Sequence, residues 1–593
     1  RGATPVGLEG WQLTGGVSFT FPRASVLAPD SYLVVARNAE RLLANYSNLT
    51  RSNTIGDFEG KLAHSGERVA LSKPDWVTAT NQSGNVETNL IHIVVDEVHY
   101  QDGGRWGRWS DGGGSSLERI DPRADGRQPT VWADSDETAK AAWGEIAATG
   151  RLDNGNVNAD QLQVLLQGAG ECLIDNIEVL NASGVNQIVN GTFDTGANGW
   201  TAEGTEEESA WEASGGFESA GSYHVRAVDR GDNQVNRIRT RLASTLSPNS
   251  VGTIRAKVRW LKGSPDLLLR LRGNWLEAAG TMPLPKNPGT PGSRNSRFLP
   301  NAGPAVYEVS HTPVAPAAGE SIVVTARVSD PDGITRLEVK YRVDPSPDYL
   351  RAAMNDTGAD GDLVAGDGLY SATIPGPLGN ALVAFYVQAT DAAGAVGTYP
   401  DQIAGAEALV RFGEVTPAGT FPVYRIWMTQ ATFNRWSSRS KLNNTPLPVT
   451  FVLAKDRVIY NARALYAGSP YIAPGYDTPT GTRCGYTVSF PADDRFLGDT
   501  DLVLDWPGGH GGESTALQEQ MAYWMADQMG LPYSHRYTIR LQVNGVTDMQ
   551  RRTVFEAINQ PAGEFLRAWL PEDSDGDFYK IDRAFEFTDT MAE

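Results

Sequence analysis

Along most of the chain, short apolar runs alternate with polar residues at a period of two and are bounded by Gly, Pro, Asn and Asp. That pattern predicts half-buried β-strands joined by tight turns. Between residues 1 and 138 the candidate strands are GWQLTGGVSFTFP (10–22), SYLVVARN (31–38), HSGERVALS (64–72) and VVDEVHY (94–100). Between 139 and 285 they are LQVLL (162–166), ECLIDNIEVL (171–180), IVNGTFDTGANGW (188–200), IRAKVRWL (254–261) and LLLRLRGNW (267–275). The run LPKNPGTPGSRNSRFLPNAGP (284–304) breaks the rhythm and predicts a linker over 286–304, too polar to pack and too rich in proline for regular structure. Past it, SIVVTARVSDPDG (321–333), RLEVKYRVD (336–344) and ALVAFYVQATDAAG (381–394) predict an Ig-like or fibronectin-like sandwich over 305–412.

From residue 413 the period changes. Strands at LPVTFVL (447–453), VIYNARALYAGSPY (458–471) and RCGYTVSF (483–490) lead to a helical repeat over 514–530. Leu517, Met521, Trp524 and Met525 share one face of that helix, Thr515 and Gln518 form a capping-box pattern, and Gly530 is the stop. YTIRLQVNG and RRTVFEAI then predict a hairpin turning at Asn544-Gly545. The expected fold class is mainly β and multidomain: β-sandwich modules in tandem, followed by an α+β module over 413–593.

A chain of 593 residues exceeds what one core organises, which agrees with several modules. Its formal net charge of −20 argues against nucleic acid as a partner, because phosphate binding needs clustered Lys and Arg. No apolar run approaches the roughly 18 residues of a membrane span. Cys172 and Cys484 lie in different modules and are expected to be buried free thiols. The chain opens on Arg1 and closes on Glu593 inside the last module, so both ends read as limits of a fragment and targeting signals are outside its scope.

Two acidic loops stand out. NDTGADGDLVAGDG (355–368) places Asp356, Asp360, Asp362 and Asp367 on one Gly-rich turn, as a calcium site needs. The spacing departs from the EF-hand pattern, and Asp and Gly also build plain turns by capping backbone amides. Both readings stand at this point. PEDSDGDF (571–578) carries the same ambiguity. No H-E-x-x-H, Cys/His zinc spacing, G-x-S-x-G elbow or Walker sequence is present, so metalloprotease, serine-hydrolase and P-loop chemistries lack their residues. PGGHGGES (507–514) reads as a flexible turn before the helix.

Three stretches resemble known families. RWGRWSDGGGSSLERIDPRAD (105–125) with VWADSDET (131–138) resembles the lamin-tail domain, an Ig-like sandwich of nuclear lamins and secreted bacterial proteins. The strands that open that family before its GW turn are missing, which implies an exposed sheet edge in the first module. NGTFD…GW (190–200) is similar to the opening of jelly-roll carbohydrate-binding modules, in which aromatics stack on sugar rings. Trp200, Trp211, Trp260 and Trp275 are the candidates there, with filling of the sandwich core as the competing reading.

The order VYRIWMTQATFNRW (423–436), strands, helix, LPYSHRYTIRLQVNG (531–545) and DFYK (577–580) resembles the amino-terminal half of the CotH (spore-coat protein H) family of atypical protein kinases. The resemblance implies a kinase-like N-lobe, with ATP and Mg as cofactors and catalytic aspartates beyond residue 593, so that residues 1–593 alone are inactive. Residues matching family positions are Arg463, Gly468 and Ser469 at the strand and turn, Glu556 at the strand end and Lys580 in FYK. Where the family carries a Lys-Ser-Phe/Tyr-Lys phrase, this chain has RCGYTVSF, leaving Arg483 as the nearby cation; Arg holds phosphate differently from Lys. Glu513 and Glu519 are candidates for the helix Glu of a kinase, or ordinary first-turn acids.

Together these resemblances imply an extracellular or cell-surface modular protein. Its partners would be secreted or surface proteins and glycans, with no nucleic acid and no membrane span. The alternative is a non-enzymatic adhesion or structural protein with a degenerate CotH-like module.

Overall fold

The computed structural model describes residues 4–80, 86–273, 276–401, 406–468, 476–481, 484–507, 517–547 and 554–572. Among the described residues strands hold 44% and helices 8%, so the molecule is mainly β, and its strands fall into sheets belonging to several modules.

The first module is built on a five-stranded sheet in the order Glu59–Gly60, Val17–Thr20, Gln12–Gly15, Glu67–Thr80, Val86–Tyr100. The last two strands run to 14 and 15 residues, far past the four-residue strand beside them, and project as a two-stranded ribbon. Beneath the sheet lies an open, largely apolar cavity of about 610 Å³, lined by Leu13, Val17, Phe58, Val69, Val98 and Trp132 among others.

The second module packs two five-stranded antiparallel sheets around one core that includes Trp260, Phe193 and Leu269. Cys172 is buried there and Cys484 in the last module, both unbridged. The phrase at 188–200, expected as a strand, is a loop up to Trp200. The Asn190 amide donates to the carbonyls of Gly196 and Asn198, and Trp200 Nε1 donates back to the Asn190 carbonyl, so side-chain bonds replace a strand ladder.

The third module pairs a three-stranded sheet with a larger one centred on Ile334–Val343 and Leu382–Asp391. Its core continues into the fourth, where Trp427, Val452 and Tyr460 pack in the same cluster as Phe385 and Phe412. In the fourth module antiparallel strands follow one another from Val423–Trp427 through Leu447–Leu453, Arg457–Ala467, Gly485–Ser489 and Asp501–Asp505 to Phe555–Asn559 and Arg536–Val543. The last of these returns to pair in parallel with the first, Val423 opposite Arg540 and Ile426 opposite Val543, so the sheet closes on itself. Trp436 and Tyr486 fill its core.

Helix Gln518–Gln528 lies on the outside of this closed sheet, within the expected 514–530, of which residues 514–516 lie outside the described residues. Thr515 lies outside the described residues, and Leu517 occupies the N-cap in helical geometry without a side-chain cap bond. Gly530 stops the helix as expected: at φ +65° it accompanies Leu531 N–H to Ala526 O and Gly530 N–H to Asp527 O, the paired bonds of a Schellman end.

Residues 286–304 differ from the expected loose linker. This segment lies across the first module, bound by buried acids: Glu118 accepts from Ser296 N, Ser296 Oγ and Thr290 Oγ1, and Glu137 accepts from Gly289 N. Polar residues pack here because they meet polar partners. The modules also touch beyond chain order, through Arg105 to Asp493 and Asn236 to the Leu442 carbonyl. Among the described residues no helix is long and apolar enough to cross a membrane.

Candidate functional site: an acidic cluster on the closed sheet

Strand Phe555–Asn559 places Glu556 opposite Asp505 on one side and Thr538 on the other. Its side chain is buried. Gln520 Nε2, from the first turn of the outer helix, donates to Glu556 Oε1 at 2.5 Å. Arg536 Nη1, at the start of the adjoining strand, donates to Glu556 Oε2 at 2.6 Å. The same nitrogen reaches Glu519 Oε2 on the helix at 2.5 Å, and the guanidinium lies 4.6 Å from the Tyr523 ring centroid. One cation therefore ties helix, entering strand and central strand together.

Asp505 ends its own strand beside this bridge. Burial pushes its carboxyl up to about 6; the Trp506 backbone N–H and Arg536 pull it down, and the charges of Glu519 and Glu556 push it up. Gly468 ends the strand Arg457–Ala467 in left-handed backbone at φ +79°, and a Cβ there would lie 3.9 Å from Asp505 Oδ2. Gly468 and Glu556 thus lie on either side of Asp505. Ser469, Arg483 and Lys580 lie outside the described residues. Glu519 has a cationic partner after all, from Arg536 rather than from the strand of Arg483.

Sequence reading missed Asp505, Gln520 and Arg536. The available signal for Asp505 was the alternation DLVLDW (501–506), which puts Asp501, Val503 and Asp505 on the face opposite Leu502 and Leu504. Arg536 carried no local signal, because its role depends on a strand pair and a helix distant in sequence.

The donor set is three carboxylates around one guanidinium that is already shared between two of them. A bare phosphate would meet net negative charge here. A divalent cation would meet hard carboxylate oxygens, but both oxygens of Glu556 already accept hydrogen bonds, from Gln520 and Arg536.

In the third module the acidic loop gathers Asp356, Asp362 and Asp367, whose carboxylate oxygens lie within 4.8 Å of one another. Asp360 is not brought in: it is exposed, in left-handed backbone at φ +52°. Each of the three also caps the turn. Asp356 accepts from the backbone N–H groups of Gly366, Asp367 and Gly368, Asp362 from Gly358, and Asp367 from Leu369. The same three carboxylates thus serve the turn while lying close enough together to share an ion. A second trio, Asp330, Asp332 and Asp391, meets the same 4.8 Å limit, with Arg123 bound to Asp332 at 2.8 Å.

Of the tryptophans proposed for sugar stacking, Trp200 and Trp260 are core residues. Trp211 is 37% exposed, with Nε1 donating to the Phe193 carbonyl. Trp275 lies outside the described residues.

No family model matches the chain. No curated protein matches it either. Among solved structures, a DUF4785 family protein from Legionella pneumophila subsp. pneumophila strain Philadelphia 1 is similar over 56% of this chain and 76% of its own, at 8% identity and a TM-score of 0.14. A score that low carries no argument about fold or function.

Proposed function

We propose that the chain belongs to an extracellular or cell-surface modular protein. Its β-modules bind secreted or surface partners and glycans, and its last module is a CotH-like nucleotide-binding lobe that takes ATP with Mg. The observation that supports the nucleotide reading is the Glu519–Arg536–Glu556 bridge. In protein kinases a strand cation paired with a helix glutamate orders the nucleotide cleft, and here a strand arginine meets a helix glutamate next to the Gly468 turn. Phosphoryl transfer to Ser or Thr of secreted proteins is the activity this reading implies for the whole protein.

Titration of the chain with Mg–ATP by calorimetry tests it. Micromolar, Mg-dependent binding that weakens in Asp505→Asn supports the lobe assignment; absence of Mg-dependent nucleotide binding overturns it. The second reading, a non-enzymatic adhesion protein, draws on the acid-rich character of the same cluster, in which Arg536 is already engaged by two carboxylates. Under that reading the glycan contact falls to Trp211. Glycan-array binding lost on Trp211→Ala supports it, and no binding to any glycan removes the sugar assignment.

A further inference from the structure

The ribbon that leaves the first module is apolar on both faces. Trp76 stands opposite Leu90, and Val77 shares the other face with Ile91 and Ile93. Beyond Ser72 no third strand accompanies it among the described residues, since strand Gln12–Gly15 pairs only with residues 69–72. A two-stranded ribbon is marginal in water, and three or more strands are needed for stability of its own.

The two edges of the ribbon differ. Past residue 72 the Glu67–Thr80 edge opens on Lys73, Pro74 and Asp75, the charges and proline by which sheet edges resist pairing. The Val86–Tyr100 edge has no Lys, Arg or Pro anywhere in VETNLIHIVV (86–95). On it Val86, Leu90, Ile91, Ile93, Val94 and Val95 are 39% to 69% exposed. From residue 96 onward that edge is occupied: Arg119 binds Asp96, and Gly126 lies against the Glu97 carbonyl. The open stretch therefore ends where the charged residues begin.

We propose that residues 86–95 are the pairing edge of a homodimer, in which two copies of this strand join antiparallel about a two-fold axis. The two ribbons then form one four-stranded sheet with the unprotected edges inside and the Lys73-Pro74-Asp75 edges outside. Antiparallel pairing is self-complementary, as a two-fold contact requires. In the register that sets Leu90 opposite Leu90 of the second copy, Glu87 faces Ile93 and no carboxylate faces another. A second copy satisfies this edge without any cationic counterpart, which suits a stretch whose sole charged side chain is Glu87.

Sedimentation velocity of the whole chain over about 1–100 µM tests the proposal. A reversible monomer–dimer equilibrium is expected. Ile91→Lys, which adds the protection this edge lacks, should weaken it by about tenfold or more. Val77→Lys, at a similarly exposed position on the same face but on the other strand, should change it by less than about threefold. At concentrations where all three are monomers, both variants should keep the parent's thermal unfolding, because neither side chain is buried in the monomer. Hydrogen exchange gives the second readout: backbone amides within 86–95 should slow with rising concentration. A monomer throughout the range, or a dimer indifferent to Ile91→Lys, overturns the proposal.

Discussion

His311 Nδ1 accepts a hydrogen bond from the Tyr460 hydroxyl across the boundary of the third and fourth modules, and both side chains are buried. The other ring nitrogen, Nε2–H, donates to the Val314 carbonyl at 3.2 Å. A carbonyl only accepts, so this pair of bonds fixes the neutral tautomer.

Burial holds His311 down to about 4, from 6.5 in an exposed chain, with the bond to Val314 opposing the shift. The unfolded state therefore takes up a proton first as pH falls. Stability from this group is complete above about pH 6.5 and declines toward pH 4, by up to about 3 kcal/mol. Urea unfolding of the parent and of His311→Phe at pH 7, 5.5 and 4.5 should show a shallower pH slope in the variant. Equal slopes would mean that His311 is not the titrating group.

Asp505 has the opposite sign. Its folded-state value of about 6 lies above the 3.8 of an exposed carboxyl, chiefly through burial. The unfolded state loses its proton first, so stability falls as pH rises from about 4 to 6 and stays reduced above that. Asp505→Asn keeps an acceptor for the Trp506 N–H and removes the charge. It should raise stability at pH 7 by about 1–2 kcal/mol and leave stability at pH 4 unchanged. Thermal unfolding at the two pH values checks this.

The Arg536 bridge predicts an asymmetry. Removing the cation leaves Glu556 buried and charged, so Arg536→Met should cost about 3–5 kcal/mol. Glu519 is 48% exposed, and Glu519→Gln should cost less than about 1 kcal/mol. Pairing Arg536→Met with Glu556→Leu should recover part of the loss, since the uncompensated charge goes with its partner. Denaturant unfolding of the parent, Arg536→Met, Glu556→Leu and the double variant forms the cycle, and a double variant no better than Arg536→Met would count against the bridge.

Features set by local chemistry were legible in the sequence. The Asn544-Gly545 turn takes φ values of +46° and +82°, as a two-residue hairpin needs, and Gly530 ends its helix where expected. Period-two alternation located LPVTFVL with its bounds intact, at Leu447–Leu453. What escaped was non-local. The closing pair of Val423–Ile426 with Arg540–Val543 joins strands over 100 residues apart, and alternation says nothing about which strands meet. Asp505 and Arg536 belong to the candidate site because both of their strands pair with Phe555–Asn559, from positions remote in the sequence, and because the outer helix supplies Gln520 and Glu519. The outer helix shows the reverse case. Its apolar face was read correctly from spacing, yet Met521, Trp524 and Met525 are each more than half exposed. Periodicity reveals a face, not what covers it.

Glu118 carries the last prediction. Its carboxylate is buried, and Oε2 accepts at 2.7 Å from both the backbone N–H and the hydroxyl of Ser296, while Thr290 donates to Oε1. Glu137 holds Gly289 in the same way, and Asn295 Nδ2 donates to the Arg119 carbonyl. Composition marks 284–304 as a chain that cannot pack, and these acids supply the partners that let it. Glu118→Ala strands several donors without acceptors and should cost about 2–4 kcal/mol in the first module. It should also open a protease-sensitive site within 286–300 under native conditions, where the parent resists. Glu118→Gln retains acceptor capacity and should fall between the two. Limited proteolysis with mass mapping reads the site directly, and cleavage elsewhere, or none, would show that the segment is held by something other than Glu118.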